Sequence, residues 1–373
     1  MSARMTRKRA RTESDEVLKQ DPEAEASNTT AGAASDPQPN IGEFELEHGT
    51  PERLKHDAEF WFSDGTVILV AKNVEFRFYR ALLADYSPVF KTMFAGQHPS
   101  RLVPIDEHQS ITCPVVKLTD SPEDLRHISY YGHMSQESRP SDFLEATEPS
   151  FHQISAYIRL GHKYRLSELY ENSVQFLKHH YTVDLETWAK HTHWEPSYWH
   201  GNESIGVVNL ARLINEPSVL PTALLACVYM DEDILQDFER EDGTRETLTL
   251  DDIGRCFRAS RVIRQAALAG VVRTFQDKVS PACKKEKSCR ITLRRALRGL
   301  DAQMGWLMTN CPLRLTLDSL LQQDGKVETC VACTMMVKER IKKEREELWA
   351  QLPELLDIEV PGWGHGAPQN EAA

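Results

Sequence analysis

The sequence of 373 residues carries 44 Lys and Arg against 56 Asp and Glu, a formal charge of −12. At about 150 residues per domain this length suggests two domains plus tails, and 40% hydrophobic residues suffice for a core once a polar terminus is set aside. So acidic a balance argues against sequence-independent nucleic-acid binding, which needs a positive face to displace counterions, and direct contact with nucleic acid is not expected.

Residues 1–50 read as a disordered arm. Between Thr12 and Asn40 the only large apolar residues are Val17 and Leu18, too few to offset the entropy of the chain. Near its start Arg7, Lys8, Arg9 and Arg11 form a basic cluster of the kind that nuclear import receptors bind; the alternative is an ordinary charged tail. No apolar run follows these basic residues, so no secretory signal is read. The expectation is an intracellular protein, in the nucleus, the cytoplasm or both, whose eight cysteines stay reduced.

Composition shifts at about Pro51. Phe60-Trp61-Phe62 leads through Asp64-Gly65 to Val67-Ile68-Leu69-Val70, and an Asp-Gly step between such flanks predicts a hairpin. A second turn at Lys72-Asn73 precedes Val74-Glu75-Phe76-Arg77-Phe78, which alternates apolar and charged residues as a half-buried strand does. A helix through Leu82, Leu83 and Ala84 follows. Ser87 then opens another as N-cap, with Pro88 at the first helical position, where its missing N–H costs nothing. Val115-Val116-Lys117-Leu118 predicts a short strand, and Ser121-Pro122 opens a helix through Leu125 and Ile128 to Gly132. Ile154, Tyr157, Ile158 and Gly161 share one helical face; Leu169, Ser173, Leu177 and Tyr181 share another. Residues 51–182 thus read as an α+β unit.

These residues resemble the BTB/POZ domain. The likeness rests on Phe60-Trp61-Phe62-Ser63-Asp64-Gly65, on Phe76 to Ala84, on Ser87-Pro88-Val89-Phe90, on Pro114 to Asp120, and on Leu160-Gly161-His162-Lys163-Tyr164, in that order. The version it looks like is the one expanded in mushroom-forming (basidiomycete) fungi. That family usually places a histidine just before the first long helix, where this chain has Tyr79. The resemblance implies a helical cluster flanking a small sheet, with Asp64, Gly65, Leu83, Ala84, Ser87 and Phe90 as structural motif residues. It also implies a domain that binds proteins rather than one that catalyses. Many members self-associate, many serve as substrate adaptors of cullin-type ubiquitin ligases, and others anchor transcription repressors. Cullin contacts would be expected after Tyr131-Gly132, but no motif is read there residue by residue.

Residues 183–357 read as a mainly α-helical region. It opens with Trp188, His191, His193, Trp194, Tyr198, Trp199 and His200. The i, i+2 spacing of His191 and His193 suits a strand edge, and no Cys or acid completes a set, so an aromatic connector over the BTB helices is expected rather than a metal site. Val207, Leu210, Ala211 and Ile214 form a helical stripe. The longest apolar stretch, Val219 to Met230, is interrupted by Pro221 and Thr222 and falls short of the roughly twenty residues a bilayer span needs, so no membrane crossing is expected. Asp242-Gly243 marks a turn, Asp251 or Asp252 caps a helix, and a charged helix from about Thr334 to Gln351 carries a narrow stripe of Val337, Ile341 and Leu348. Such a helix usually presents a solvated face, although a narrow stripe can also recruit a partner helix. This half resembles the region that follows the BTB domain in the same fungal proteins, and no activity comes with that likeness. Residues 358–373 read as a flexible tail; Gly362-Trp363-Gly364 has no strand before it and cannot form a dinucleotide site.

Cys283 and Cys289 precede the Cys330-x-x-Cys333 pair by about forty residues. Two such pairs can complete a tetrahedral four-cysteine zinc site, and Lys284, Lys285, Lys287 and Arg290 would favour thiolates there. The alternative is a set of unrelated thiols. Redox catalysis at the pair is not expected, because no thioredoxin-like strand precedes it.

No G-x-S-x-G, H-E-x-x-H or phosphate-loop pattern occurs, and Asp231-Glu232-Asp233 lacks the residues that complete a calcium loop. The sequence therefore points to a non-enzymatic interaction protein without a catalytic cofactor, structural zinc aside. Its expected partners are other proteins, a second copy of itself through the BTB domain, or a cullin-type ligase. The alternative is a nuclear regulator or scaffold without ubiquitin transfer; an uncharacterised enzyme activity in the carboxy-terminal half is the remote one.

Overall fold

Five consecutive apolar residues form β2 (Val67–Ala71), buried on both faces, and the amino-terminal unit is arranged around it. The computed structural model describes residues 54–134, 148–199, 202–314, 317, 321–323 and 326–364. The expected disordered arm with Arg7, Lys8, Arg9 and Arg11 lies outside the described residues, as do residues 365–373.

β2 pairs antiparallel with β3 (Val74–Phe78) across the Lys72-Asn73 turn, where Lys72 adopts φ 50°, and parallel with β5 (Ser110–Leu118). β1 (Lys55–Trp61) runs parallel to β3, and β4 (Ser100–Pro104) antiparallel to β5, giving the order β1-β3-β2-β5-β4. The turn at Asp64-Gly65 thus reverses the chain without making the expected hairpin. The two-residue β2–β3 turn and the β5 pairing occupy both edges of β2, so β1 joins the free edge of β3. Nor does Gly65 serve a positive φ. A Cβ there would lie 2.8 Å from Arg77 Cγ, so the glycine makes room for a side chain.

The pleat sends Val67, Leu69, Ala71, Phe76 and Val116 to one face, where they form a core with residues of α2 (Pro88–Phe94), α3 (Pro122–Met134) and α4 (Phe151–Tyr164). Ile68, Val70, Val103 and Cys113 cluster on the other. α1 (Arg80–Tyr86) connects β3 to α2. α4 starts at a capping box in which Ser150 and Gln153 satisfy each other's backbone N–H groups, and α5 (Ser167–His180) packs beside it.

The helices continue as α6 (Leu185–Lys190), α7 (Glu203–Leu213) and α8 (Leu220–Val228). Every residue of α8 is buried, which accounts for the longest apolar stretch; among the described residues no helix is long and apolar enough to cross a membrane. A short hairpin, β6 (Phe238–Glu239) and β7 (Arg245–Glu246), precedes α9 (Leu250–Thr274) and α10 (Glu286–Thr309). The small pair β8 (Gln322–Gln323) and β9 (Lys326–Val327) leads to α11 (Val331–Ala350) and α12 (Leu352–Leu355). Val337 and Leu348 of α11 are buried, so its narrow stripe is already occupied within the chain, where α11 packs along α9.

One core cluster joins Phe151, Ile154 and Leu169 to Ile205, Leu224, Ile263 and Trp349. It crosses residue 182 without interruption, and the described residues fall in a single unit. A second cluster, with Val271, Phe275, Leu293, Leu300 and Val337, ties α9, α10 and α11 together. The expected flexible tail is ordered into this core as far as Gly364. Trp363 stacks on Trp349 at 4.8 Å and donates from Nε1 to its carbonyl at 2.7 Å, because a buried indole needs an acceptor for its N–H.

Candidate functional site

The motif residues of the amino-terminal unit form a framework rather than a pocket. Ser87 is fully buried. Its Oγ accepts from Phe90 N–H at 3.0 Å, capping α2, and donates to the Tyr164 carbonyl at 2.6 Å, tying α2 to the end of α4. Phe90 stacks on the Tyr164 ring at 4.3 Å, and Leu83 and Ala84 pack, half-buried, against the same cluster. Tyr79 donates its hydroxyl to Asp64 at 2.7 Å, which keeps the turn attached to the start of α1. Arg77 escaped sequence reading: alternation marked it as the exposed side of a strand, yet it is buried. Its Nε donates to the Gly65 carbonyl at 2.8 Å and its Nη1 to that of Pro104 at 3.1 Å. On the outside of this framework Leu82, Tyr86 and Leu102 are exposed apolar side chains.

The β6–β7 hairpin clasps this unit with charge. Arg240 pairs with Asp124 at the start of α3, Glu246 with Arg159 of α4, Glu241 with His127 and Asp242 with Lys72, at 2.5, 2.5, 2.6 and 3.0 Å. Two-residue strands with such side chains carry no periodicity, and the sequence offers only Asp242-Gly243, with Gly243 at φ 75°, to mark the turn.

The Trp- and His-rich connector is a packed joint. Arg314 lies between Trp188 and Trp194, its guanidinium 4.6 and 4.4 Å from their ring centres, and donates to the carbonyls of Thr192 and His193. His191 lies beside His180, ring centres 4.5 Å apart. Burial, with His191 next in weight, lowers the His180 pKa to about 4. Glu195 accepts from Ser204 N–H at 2.6 Å, and burial together with a hydrogen bond to Glu203 raises its pKa to about 8.

Cys283, Cys289, Cys330 and Cys333 come together. Their sulfurs all lie within 4.8 Å of one another, and among the described residues they are the group of such side chains that could hold a metal ion. Two helix starts converge on them. Cys330 is the N-cap of α11 and Cys333 lies in its first turn, while Cys289 belongs to the first turns of α10. Cys283 enters from a turn closed by its N–H on the Ser280 carbonyl. Cys330 N–H points at Cys289 Sγ (3.3 Å) and Ser280 N–H at Cys333 Sγ (3.4 Å). The other four cysteines are buried thiols elsewhere.

No curated protein and no solved structure is significantly similar to this chain. The profile of the BTB/POZ domain matches residues 61–181, the span that holds β2 to β5 of the mixed sheet, α1 to α5 and all six motif residues. The chain thus carries a BTB/POZ domain there, a protein-interaction module, followed by a helical carboxy-terminal region.

Proposed function

We propose that this chain is a non-enzymatic protein–protein interaction protein of the kind expanded in mushroom-forming fungi. Its BTB domain self-associates or docks on a cullin-type ubiquitin ligase, and its helical carboxy-terminal region selects the client. The observation that carries this reading is the BTB domain itself, a rigid framework with Leu82, Tyr86 and Leu102 exposed on its surface. The basic cluster Arg7, Lys8, Arg9 and Arg11 favours a second reading, a nuclear regulator or scaffold without ubiquitin transfer; residence in the nucleus, the cytoplasm or both is proposed accordingly. The function needs no catalytic cofactor, and a structural zinc ion at Cys283, Cys289, Cys330 and Cys333 is compatible with it.

The test is quantitative mass spectrometry of proteins that co-purify with the tagged full-length chain, alongside its oligomeric state by light scattering. The control is a full-length variant with Leu82→Asp, Tyr86→Ser and Leu102→Asp, since removal of the whole BTB domain would lay open the shared core. A cullin enriched with the natural chain and lost with the variant supports the adaptor, and client proteins then accumulate when the gene is deleted. Self-association or nuclear factors without any ligase component favour the scaffold. A monomer that enriches neither overturns both readings.

A further inference from the structure

We infer that Cys283, Cys289, Cys330 and Cys333 hold one Zn²⁺ as its tetrathiolate, and that this ion pins the start of α10 to the start of α11. The proposal does not depend on how the BTB domain is used.

The geometry fits. Zinc–thiolate bonds of about 2.3 Å in a tetrahedron set sulfurs about 3.8 Å apart, and Cys330 Sγ lies 3.7 Å from Cys283 Sγ. A disulfide needs about 2.05 Å, and none of the four cysteines is in one. Two thiols would suffice for a redox pair; here a helix-capping pair is met by a second pair from about forty residues away in the sequence, which completes a closed four-ligand shell with no open position. Closed shells of this kind are structural.

The surroundings suit thiolates. Four of them with Zn²⁺ leave two negative charges in excess. The N-termini of α10 and α11 present partial positive charge to the site, and the backbone N–H groups of Cys330 and Ser280 donate to its sulfurs. Lys284, Lys285 and Lys287 are exposed around it, and Arg340, bonded to the carbonyls of Thr274 and Lys278, adds charge from α11. An all-sulfur tetrahedral shell selects zinc or iron and disfavours magnesium and calcium, which prefer oxygen.

The ion has a mechanical role because it ties the start of α10 directly to the start of α11. Beside it stand Arg295–Glu328 at 2.5 Å, Thr292–Glu328 at 3.4 Å and the apolar cluster shared by α9, α10 and α11, while the segment 275–285 that connects α9 to α10 contains no helix or strand. Without the ion, the four thiols are joined by weak hydrogen bonds to sulfur.

The test begins with elemental analysis of the full-length chain purified without chelator. About one zinc per chain is expected, as is a tetrahedral cobalt–thiolate absorption spectrum when Co²⁺ replaces it. The double variant Cys289→Ser and Cys333→Ser is expected to retain less than about a tenth of that zinc, whereas Cys113→Ser, far from the cluster, retains it. Since the double variant could fail to fold, hydrogen exchange of the natural chain before and after chelation is the second readout. Chelation should raise exchange by at least about tenfold at the starts of α10 and α11 and leave α4 unchanged. Absence of metal together with absence of the cobalt spectrum overturns the proposal. Stoichiometric iron in place of zinc, zinc retained by the double variant, or exchange indifferent to chelation does so as well.

Discussion

The guanidinium of Arg240 lies 2.5 Å from the carboxylate of Asp124, both side chains largely buried, and this pair joins the carboxy-terminal hairpin to the first turn of α3. Glu246 and Arg159 lie in the same network. Removing one member of a buried pair strands its partner without water, a larger loss than the pair's own worth. Arg240→Ala should therefore lower stability of the full chain by about 2–4 kcal/mol in urea unfolding. Asp124→Asn in the same background should recover part of it, with a coupling of about 1–3 kcal/mol; strictly additive effects would show that the two do not interact.

Ser87 makes two hydrogen bonds with one hydroxyl, one capping α2 and one to the Tyr164 carbonyl. Ser87→Ala removes the cap and leaves a buried carbonyl unsatisfied, at a cost of about 1–3 kcal/mol. Thr92→Ala, on the exposed side of the same helix, is the comparison and should stay within about 0.5 kcal/mol. Equal denaturation midpoints for the two variants would contradict the framework role of Ser87.

Glu195 binds its proton up to about pH 8 in the folded chain, whereas an unfolded carboxyl releases it near 4.5. Between those values the native state holds more protons, so stability falls as pH rises through the window. Glu195→Gln keeps an acceptor for Ser204 N–H and lacks this loss. Relative to the natural chain it should gain at least about tenfold in the folding equilibrium, about 1.4 kcal/mol, on going from the acid to the alkaline end. Parallel stability profiles would place the shared proton elsewhere.

His180 shows the opposite sign. Its folded pKa of about 4 lies below the ordinary 6.5, so between these values the unfolded state holds more protons and stability falls as pH drops. The Nε2–H of His180 donates to the Trp194 carbonyl at 3.2 Å, a hydrogen bond that the side-chain amide of His180→Gln can replace. The variant should flatten the acid limb by about 1–3 kcal/mol, as read from urea midpoints across that range. An imidazole that titrates near 6.5 by NMR would refute the lowered value.

What could be read from the residues depended on whether the signal was local. The face formed by Ile154, Tyr157, Ile158 and Gly161 is a property of one helix, and all four are buried. The Asp64-Gly65 turn was visible, but its pairing was not, because the neighbour of β1 is decided by which edges β2 has already filled. Arg77 followed the alternation of its strand and was misplaced by it: its side chain enters the space that Gly65 leaves, a contact between strands that no single segment contains. The four cysteines were legible because thiols in pairs announce a common chemistry whatever the fold between them. The charged hairpin at residues 238–246 and the anchoring of Trp363 had no comparable signature; each is defined only by its partner.

The uninterrupted core across residue 182 fixes a spacing. Modules joined by a loose tether sample a range of separations, and what they carry meets at a concentration set by tether length. Here a protein held by the BTB face and one held by the carboxy-terminal helices would stand at a distance and orientation dictated by packed side chains such as Phe151, Ile205 and Trp349. The chain would act as a gauge, admitting pairs whose dimensions match it and excluding those that do not.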